Sequence, residues 1–278
     1  MKNLLPLFLV LVFGNCSAQK YACCTMSVND KNSLMAMNEK FASTHLPPEP
    51  FALEKPKGKM VAFKTPDGAT AHAYAVKPSK ETDKVVFLFH EWWGLNDYIK
   101  REAENLQAEL GEVNVYAIDL YDGKVAATTP DAQRYMSGLK EARAKAIITG
   151  AINYVGKSAK IATLGWCMGG AWSLQSTLME GKQAIGCVMY YGMPESDINK
   201  LKTLNCDVLG IFGTQDGFIN PEVVRTFEAN MAKAGKKISV HSYDAPHAFA
   251  NPSNPKYNKE YADNAHMEAL IYLKERLK

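Results

Sequence analysis

Short apolar runs alternate with amphipathic stretches along most of this chain, and this alternation restricts its fold more than any other feature. The run KVVFLF, residues 84–89, is continuous and apolar, as expected of a strand buried on both faces. The next stretch, DYIKREAENLQAEL, places Ile99, Ala103 and Leu106 at helical spacing. Strand and helix patterns continue to alternate towards the C-terminus. We therefore predict an α/β fold with a mostly parallel central sheet flanked by helices on both faces.

The first strands of this sheet are predicted to form a hairpin, because the patterns KMVAFKT and TAHAYAVK flank the turn sequence PDG. This hairpin would add an antiparallel edge to the parallel strands. One long helical region is predicted over about residues 130–155, and a final helix from about residue 256. No linker interrupts residues 59–278, so we predict that they form one domain.

The first 58 residues have a different character. The segment MKNLLPLFLVLVFGNCSAQK combines an early lysine, an apolar run and small residues, which is typical of a signal peptide. We predict a signal peptide over residues 1–18 and export to the periplasm or the medium. A lipid anchor on Cys16 is the alternative. Residues 19–58 are predicted to be a poorly structured leader with at most one short helix, because THLPPEPFALEKPKGK contains several prolines.

Charge and cysteine content restrict the partners and the compartment. The net charge of +3 is not concentrated in a basic run, which argues against a nucleic-acid partner. No segment after the signal peptide is apolar enough to span a membrane. Export implies an oxidising compartment. Removal of Cys16 from the six cysteines leaves five, so at least one thiol is free or pairs with another molecule; they are Cys23, Cys24, Cys167, Cys187 and Cys206.

Cys167 is the candidate nucleophile. It lies in GWCMGG, directly after a strand pattern, and this is the glycine-x-nucleophile-x-glycine form of a sharp turn from strand into helix. Glycines two residues before and after Cys167 remove side chains that would clash at such a turn. The start of the following helix favours a thiolate. The alternative is a small buried cysteine, but such a residue requires none of these glycines.

Asp216 and His247 are the candidate acid and base. Both follow later strands, in the loops GTQDGFINP and YDAPHAFANPSNP, and reactive groups of open α/β sheets gather at the carboxyl ends of strands. Asp207 begins a strand, and Asp244 is only three residues from His247, so Asp216 is preferred. The chain order Cys, Asp, His is that of nucleophile-elbow hydrolases. His45 lies in the predicted leader and is not assigned a role.

The segment HEWWG, residues 90–94, ends the strand predicted to lie beside this turn. The backbone N–H groups of Trp92 and Met168 are the predicted oxyanion hole, because such hydrolases use one donor from this loop and one from the residue after the nucleophile. No second histidine follows HEWWG at the spacing of a zinc motif. We predict neither a metal site nor a cofactor.

The motifs HEWWGLNDYI, GWCMGG, GTQDGFINP and APHAFAN together resemble the dienelactone hydrolase family (carboxymethylenebutenolidases) of the α/β-hydrolase superfamily. The resemblance covers about residues 59–278. It implies an α/β-hydrolase fold with a triad of Cys167, Asp216 and His247. It also implies that Glu91 interacts with the resting cysteine and takes part in its activation.

These inferences together predict an exported hydrolase that cleaves a small-molecule carboxylic ester or lactone through an acyl-thioester intermediate. A thioesterase or another acyl hydrolase of the same fold is the alternative within this class. A protein that only binds a carbonyl ligand is the alternative outside it. A redox role for Cys167 would require a resolving cysteine, and neither Cys187 nor Cys206 is placed to act as one.

Overall fold

An eight-stranded sheet forms the centre of the molecule in the computed structural model, which describes residues 26–251, 254 and 256–278. The order across the sheet is β1-β2-β4-β3-β5-β6-β7-β8, and β2 runs antiparallel to both of its neighbours while the remaining pairs are parallel. The predicted hairpin and the predicted mostly parallel sheet are therefore confirmed. The strands are β1 Lys59–Lys64, β2 Thr70–Val76, β3 Lys84–Phe89, β4 Asn114–Ile118, β5 Lys160–Trp166, β6 Ala184–Tyr190, β7 Val208–Gly213 and β8 Ile238–Tyr243.

Helices cover both faces of the sheet, since the central strands β5, β6 and β7 are buried along almost their whole length. Helices α3 and α9 pack against each other, as do α5 and α6. The helices of the described residues are α1 Val28–Ala36, α2 Glu39–Ser43, α3 Asp97–Leu110, α4 Thr129–Gly138, α5 Glu141–Val155, α6 Met168–Glu180, α7 Ile198–Leu201, α8 Pro221–Lys233 and α9 Lys259–Arg276.

The long helical region predicted over about residues 130–155 is confirmed, and the structure divides it into α4 and α5. Leu139 lies between them in an extended conformation, with φ −63° and ψ 117°. Its carbonyl oxygen accepts a hydrogen bond of 3.0 Å from Nδ2 of Asn29, which lies in α1. The break therefore places a backbone acceptor where a distant part of the chain can use it, and helical periodicity carries no signal for such a contact.

The part of the predicted leader that the structure describes, residues 26–58, differs from the expectation of a poorly structured segment. It forms α1 and α2, each started by a polar cap: the side chains of Ser27 and Asn38 accept backbone N–H groups of the first turns. Both helices lie against the domain, and Phe41 is completely buried. The prolines that suggested disorder follow α2, so they end the helical part and do not prevent it.

Several sequence predictions lie outside the described residues, namely the signal peptide, a lipid anchor on Cys16, and the pair Cys23 and Cys24. In the part that is described, no helix is both long and apolar enough to cross a membrane. The three described cysteines are all free: Cys167 and Cys187 are buried, and Cys206 is partly exposed.

Candidate active site

Cys167 occupies the sharp turn between β5 and α6. Its backbone has φ 55° and ψ −121°, a conformation that a residue with a side chain adopts only under strain, and strain of this kind gathers at functional sites. The Cys167 N–H donates to the carbonyl oxygen of Tyr190, 3.0 Å away on β6. A β-carbon at Gly165 would overlap the backbone of Gly169, and one at Gly169 would overlap the carbonyl oxygen of Phe89. The glycines around Cys167 thus permit this turn.

Asp216 and His247 meet in the loops after β7 and β8. Nδ1 of His247 donates to Oδ2 of Asp216 at 2.6 Å, and both side chains are almost completely buried. The other carboxylate oxygen of Asp216 accepts the backbone N–H groups of Phe218 and Ile219 at 2.8 and 2.9 Å. Both oxygens of this carboxylate are therefore hydrogen-bonded, and the imidazole is held in the tautomer that leaves Nε2 pointing away from Asp216.

The pKa shifts of this pair follow from their mutual charge. Burial opposes the charged form of each residue, but their interaction outweighs burial. The pKa of His247 is raised well above its usual value by the charges of Asp216 and Cys167. The pKa of Asp216 is lowered by the charge of His247 and by its hydrogen-bond donors. The buried carboxylate of Asp216 therefore stabilises the imidazolium form of His247.

Cys167 and His247 lie close enough to act together, and a third residue joins them. The sulfur of Cys167 and one ring nitrogen each of His247 and His45 all lie within 4.8 Å of one another. His45 follows α2 in the segment that was predicted to be poorly structured. The structure therefore brings together the predicted Cys167, Asp216 and His247, and adds His45 to them.

The rings of His45 and Phe41 pack against the group of Cys167, Asp216 and His247, which we call the centre, and we call α2 together with His45 its cover. The His45 ring lies 4.6 Å from that of Trp92 and 5.3 Å from that of His247, and Phe41 has an edge contact with His247 at 5.5 Å between ring centroids. Cys167 is completely buried beneath them. Burial, together with the charge of His247, lowers the pKa of His45 to about 3, so its imidazole is neutral at physiological pH.

Glu91 is buried beside the centre, but it is not hydrogen-bonded to Cys167. Its Oε1 accepts a hydrogen bond from Nδ2 of Asn251, while Oε2 has no hydrogen-bond partner among the described residues. Burial raises the pKa of Glu91 to about 7, against the opposing effects of His247 and Asn251. A carboxyl group with this pKa is able to take up or release a proton near neutral pH.

The two backbone donors predicted to form the oxyanion hole lie at the same edge of the sheet. Trp92 lies shortly after β3 and Met168 begins α6 directly after β5, and β3 and β5 are neighbouring strands. Throughout the described part of the chain, no acceptor is hydrogen-bonded to either of these N–H groups.

His90, the other histidine at the end of a strand, has a structural role. Its Nδ1 donates to the carbonyl oxygen of Glu91 at 2.6 Å, and its Nε2 accepts the N–H of Leu120 at 3.2 Å. Burial lowers its pKa. Because both ring nitrogens are occupied, His90 joins the ends of β3 and β4 and has no nitrogen left for catalysis.

A cleft of about 310 Å³ extends from Glu91 to the surface. Its walls include Trp166, which precedes Cys167, and Tyr190 at the end of β6. Tyr98 and His266 also line this cleft, which borders the centre at Glu91.

Sequence reasoning missed His45 and Asn251. Asn251 is the last residue of the motif APHAFAN, so its place at the end of the histidine loop was visible, although no role was assigned to it. His45 had no such signal, since it is separated from every catalytic motif and is followed by prolines. Only the packing of α2 shows where it lies.

The fold and the site define the class of this protein: an α/β-hydrolase with a cysteine at the nucleophile turn and Asp and His after later strands. The family model of the dienelactone hydrolase family matches residues 71–277. The chain therefore belongs to the dienelactone hydrolase family, and with it to the carboxylic ester hydrolases. This confirms the resemblance seen in the sequence motifs.

Individual relatives agree with this assignment. The carboxymethylenebutenolidase of Pseudomonas sp. (strain P51) is 32% identical over 119 residues, which are 41% of this chain and 47% of that protein. Carboxymethylenebutenolidase 1 of Cupriavidus pinatubonensis is 23% identical over 227 residues, 75% of this chain and 94% of that protein. A solved dienelactone hydrolase-like promiscuous phosphotriesterase from metagenomic libraries has a TM-score of 0.67 at 19% identity, covering 80% of this chain and all of that one, and shows the shared fold.

Proposed function

We propose that this chain hydrolyses a carboxylic ester or lactone, with Cys167 as the nucleophile, His247 as the base and Asp216 as the group that orients His247. The observation that carries the proposal is the convergence of these three side chains at a strained turn after β5. A buried structural cysteine would require neither the strained backbone nor the paired imidazole and carboxylate. The relatives named carboxymethylenebutenolidase, after a butenolide lactone, support the choice of substrate class.

Acylation is the first half of the proposed reaction. The thiol proton of Cys167 passes to Nε2 of His247, and the thiolate attacks the substrate carbonyl carbon. The N–H groups of Trp92 and Met168 bind the oxygen that becomes negative. The tetrahedral intermediate then expels the alkoxide, which takes the proton from His247 and leaves as the alcohol. The acyl group remains on sulfur as a thioester.

Deacylation regenerates the enzyme. Neutral His247 removes a proton from water, and the resulting hydroxide attacks the thioester carbonyl at the same oxyanion hole. The thiolate leaves and the acid product is released. Asp216 stabilises the imidazolium in both halves, since Nδ1 keeps its hydrogen bond to the carboxylate throughout.

Glu91 is proposed to assist the activation of Cys167. Its unpartnered Oε2 is a proton acceptor inside the buried centre, and its pKa near 7 allows it to exchange a proton there. The cleft that ends at Glu91 is the proposed entry for the substrate.

Single-turnover hydrolysis of a chromogenic short-chain ester tests the proposal. We expect a burst of product in the wild type, no burst in Cys167→Ala, and an unchanged burst in Cys206→Ala, which removes a thiol outside the site. Iodoacetamide treatment of the wild type should abolish the burst. Turnover in Cys167→Ala that equals the wild type would overturn the assignment of the nucleophile.

We also propose that the protein is exported, on the basis of the signal-peptide pattern in residues 1–18. Cell fractionation followed by intact-mass measurement tests this. We expect the mature chain outside the cytoplasm to begin at Gln19. A lipid-modified Cys16 would replace cleavage by anchoring, and a full-length cytoplasmic chain would contradict export.

A further inference from the structure

Three side chains that can serve as metal ligands meet at the centre, namely His45, Cys167 and His247. Only Cys167 and His247 belong to the proposed triad. His45 and His247 each contribute a ring nitrogen and Cys167 contributes its sulfur, all within 4.8 Å of one another. All three side chains are more than nine-tenths buried. Nε2 of His45 and Nε2 of His247 have no hydrogen-bond partner among the residues that the structure describes.

The hydrogen bonds of Nδ1 in His45 and in His247 determine whether Nε2 of the neutral ring carries a proton or a lone pair. Nδ1 of His45 lies 2.9 Å from the carbonyl oxygen of Phe41 and 3.1 Å from Oγ1 of Thr44. Because the Thr44 hydroxyl donates its proton to the same carbonyl at 2.7 Å, Nδ1 is the donor in its contact with Phe41. Nδ1 of His247 donates in the same way to the carboxylate of Asp216. In the neutral rings, each Nε2 therefore carries a lone pair. With both rings neutral, the centre offers two ring nitrogens and one sulfur as ligand atoms for a metal ion.

We propose that His45, Cys167 and His247 bind one Zn²⁺ ion in this covered arrangement, and that the bound ion blocks the nucleophile. Cys167 and His247 together hold one proton, on the sulfur or on Nε2, in addition to the proton on Nδ1 of His247. Zinc displaces that one proton to solvent and forms bonds to the thiolate sulfur and to the freed Nε2 of His247. Both reacting groups of the proposed triad would then be unavailable, so the metal-bound form would be inactive and would recover when the metal is removed.

The donor set selects the metal. Thiolate and imidazole are the ligands that zinc prefers, whereas Mg²⁺ and Ca²⁺ require oxygen ligands. Tetrahedral zinc with these bond lengths holds its ligand atoms about 3.4–3.6 Å apart, so side-chain movements of about 1 Å complete the site. The carbonyl of Phe41 and the carboxylate of Asp216 already hold the far nitrogens of both rings, as outer partners of zinc-bound histidines do.

His45 distinguishes this site from a general affinity of thiols for metal. It takes no part in the proposed acyl transfer, and it reaches the centre from the segment after α2, where its ring packs on those of Trp92 and His247. Substitution of His45 should therefore weaken metal binding while the triad remains in place. This makes the inference testable separately from the proposed hydrolysis.

The test is titration of the metal-free full chain with Zn²⁺ and, in parallel, with Co²⁺, in the absence of substrate. We expect one ion per chain, a sulfur-to-cobalt charge-transfer band, and zinc-edge X-ray absorption that fits one sulfur and two imidazole nitrogens. His45→Ala should lower the Zn²⁺ affinity by at least about 10–100-fold, the loss that follows even from outer-shell changes. His72→Ala, which removes an exposed imidazole on β2, should retain wild-type affinity.

Three results would overturn the inference: an absorption spectrum without sulfur, wild-type affinity in both His45→Ala and His45→Gln, or equal loss of affinity in His72→Ala. The glutamine variant keeps a polar side chain under α2. If both His45 variants fail to fold, the cobalt and X-ray spectra of the wild type decide alone. Zn²⁺ should also slow iodoacetamide labelling of Cys167, and a chelator should restore it.

Discussion

The charged forms of Asp216 and His247 are stable in the protein interior only because the two side chains lie in contact. Asp216 and His247 are both removed from water, where an isolated charge would be strongly destabilised. Their 2.6 Å contact and the backbone donors to Asp216 offset that cost. A change that keeps the shape but removes one charge should therefore affect catalysis more than folding.

Asp216→Asn is the most direct test at this scale. We expect kcat for ester hydrolysis to fall on the order of 10³–10⁴-fold, because the amide no longer stabilises the imidazolium and can favour the wrong tautomer of His247. Steady-state kinetics measure the effect, and circular dichroism confirms folding. Asp244→Asn, at an exposed residue bound to Thr214 and Gln215, is the matched control. A fall of less than 10-fold in Asp216→Asn would contradict the role of Asp216.

Two elements create the site: the turn between β5 and α6, and the cover formed by α2. The turn brings backbone into contact with backbone, since Gly169 lies against the carbonyl oxygens of Phe89 and His90. The cover packs the ring of Phe41 against the rings of Trp92 and His247. The first element is specified by a short motif, and the second by packing between distant segments.

Gly169→Ala should destabilise the protein by about 1–3 kcal/mol or more, because a β-carbon has no space between two carbonyl groups. Denaturant unfolding measures the change in the free energy of unfolding. Gly138→Ala is the matched control: nothing lies within 4 Å of the added carbon, and alanine in α4 should stabilise by about 0.5–1 kcal/mol. Equal effects of the two substitutions would show that the turn is not tightly packed.

Phe41→Ala should raise the rate of iodoacetamide labelling of Cys167 by at least about 10-fold, because loss of a completely buried ring increases the population in which α2 has moved away. Mass spectrometry of the labelled chain under native conditions measures the rate. Phe51→Ala removes a ring that packs on Tyr98, away from Cys167, and should leave the rate unchanged. An unchanged rate in Phe41→Ala would contradict the covering role of α2.

Sequence motifs predicted the catalytic side of the site but not its cover. The glycines of GWCMGG pointed to Cys167 because a sharp strand-to-helix turn requires them, and the structure has such a turn there. The loops after the last strands pointed to Asp216 and His247, whose side chains the structure brings together. His45 could not be found in this way. Its position depends on contacts between α2 and Trp92, which are distant in sequence and have no periodic pattern. The break at Leu139 was missed for the same reason.

Across the whole molecule, stability should depend on pH through buried carboxyl groups outside the site. Glu180 ends α6, is buried, and accepts a hydrogen bond from Ser176, while its Oε2 has no partner within the described residues. Burial raises its pKa to about 8. The folded state therefore keeps a proton that the unfolded state releases near pH 4.5.

Because the folded state binds the extra proton, the free energy of unfolding should fall as pH rises from about 4.5 to about 8. The upper bound of this loss is about 4–5 kcal/mol. Glu180→Gln, which cannot ionise, should remove this contribution and be more stable than the wild type at pH 8. Urea unfolding across this pH range measures the difference. Glu228→Gln, at an exposed position of α8, should follow the wild type; parallel curves for wild type and Glu180→Gln would contradict the prediction.

The position of the cover in the sequence has a consequence for how such proteins select their substrates. The shared family region begins at residue 71, whereas Phe41 and His45, which close the centre, come from before it. Two chains that agree at every catalytic motif but differ in their first seventy residues would therefore admit different molecules to the same nucleophile. Exchange of residues 26–58 between relatives becomes a route to new substrate preference without any change to the triad.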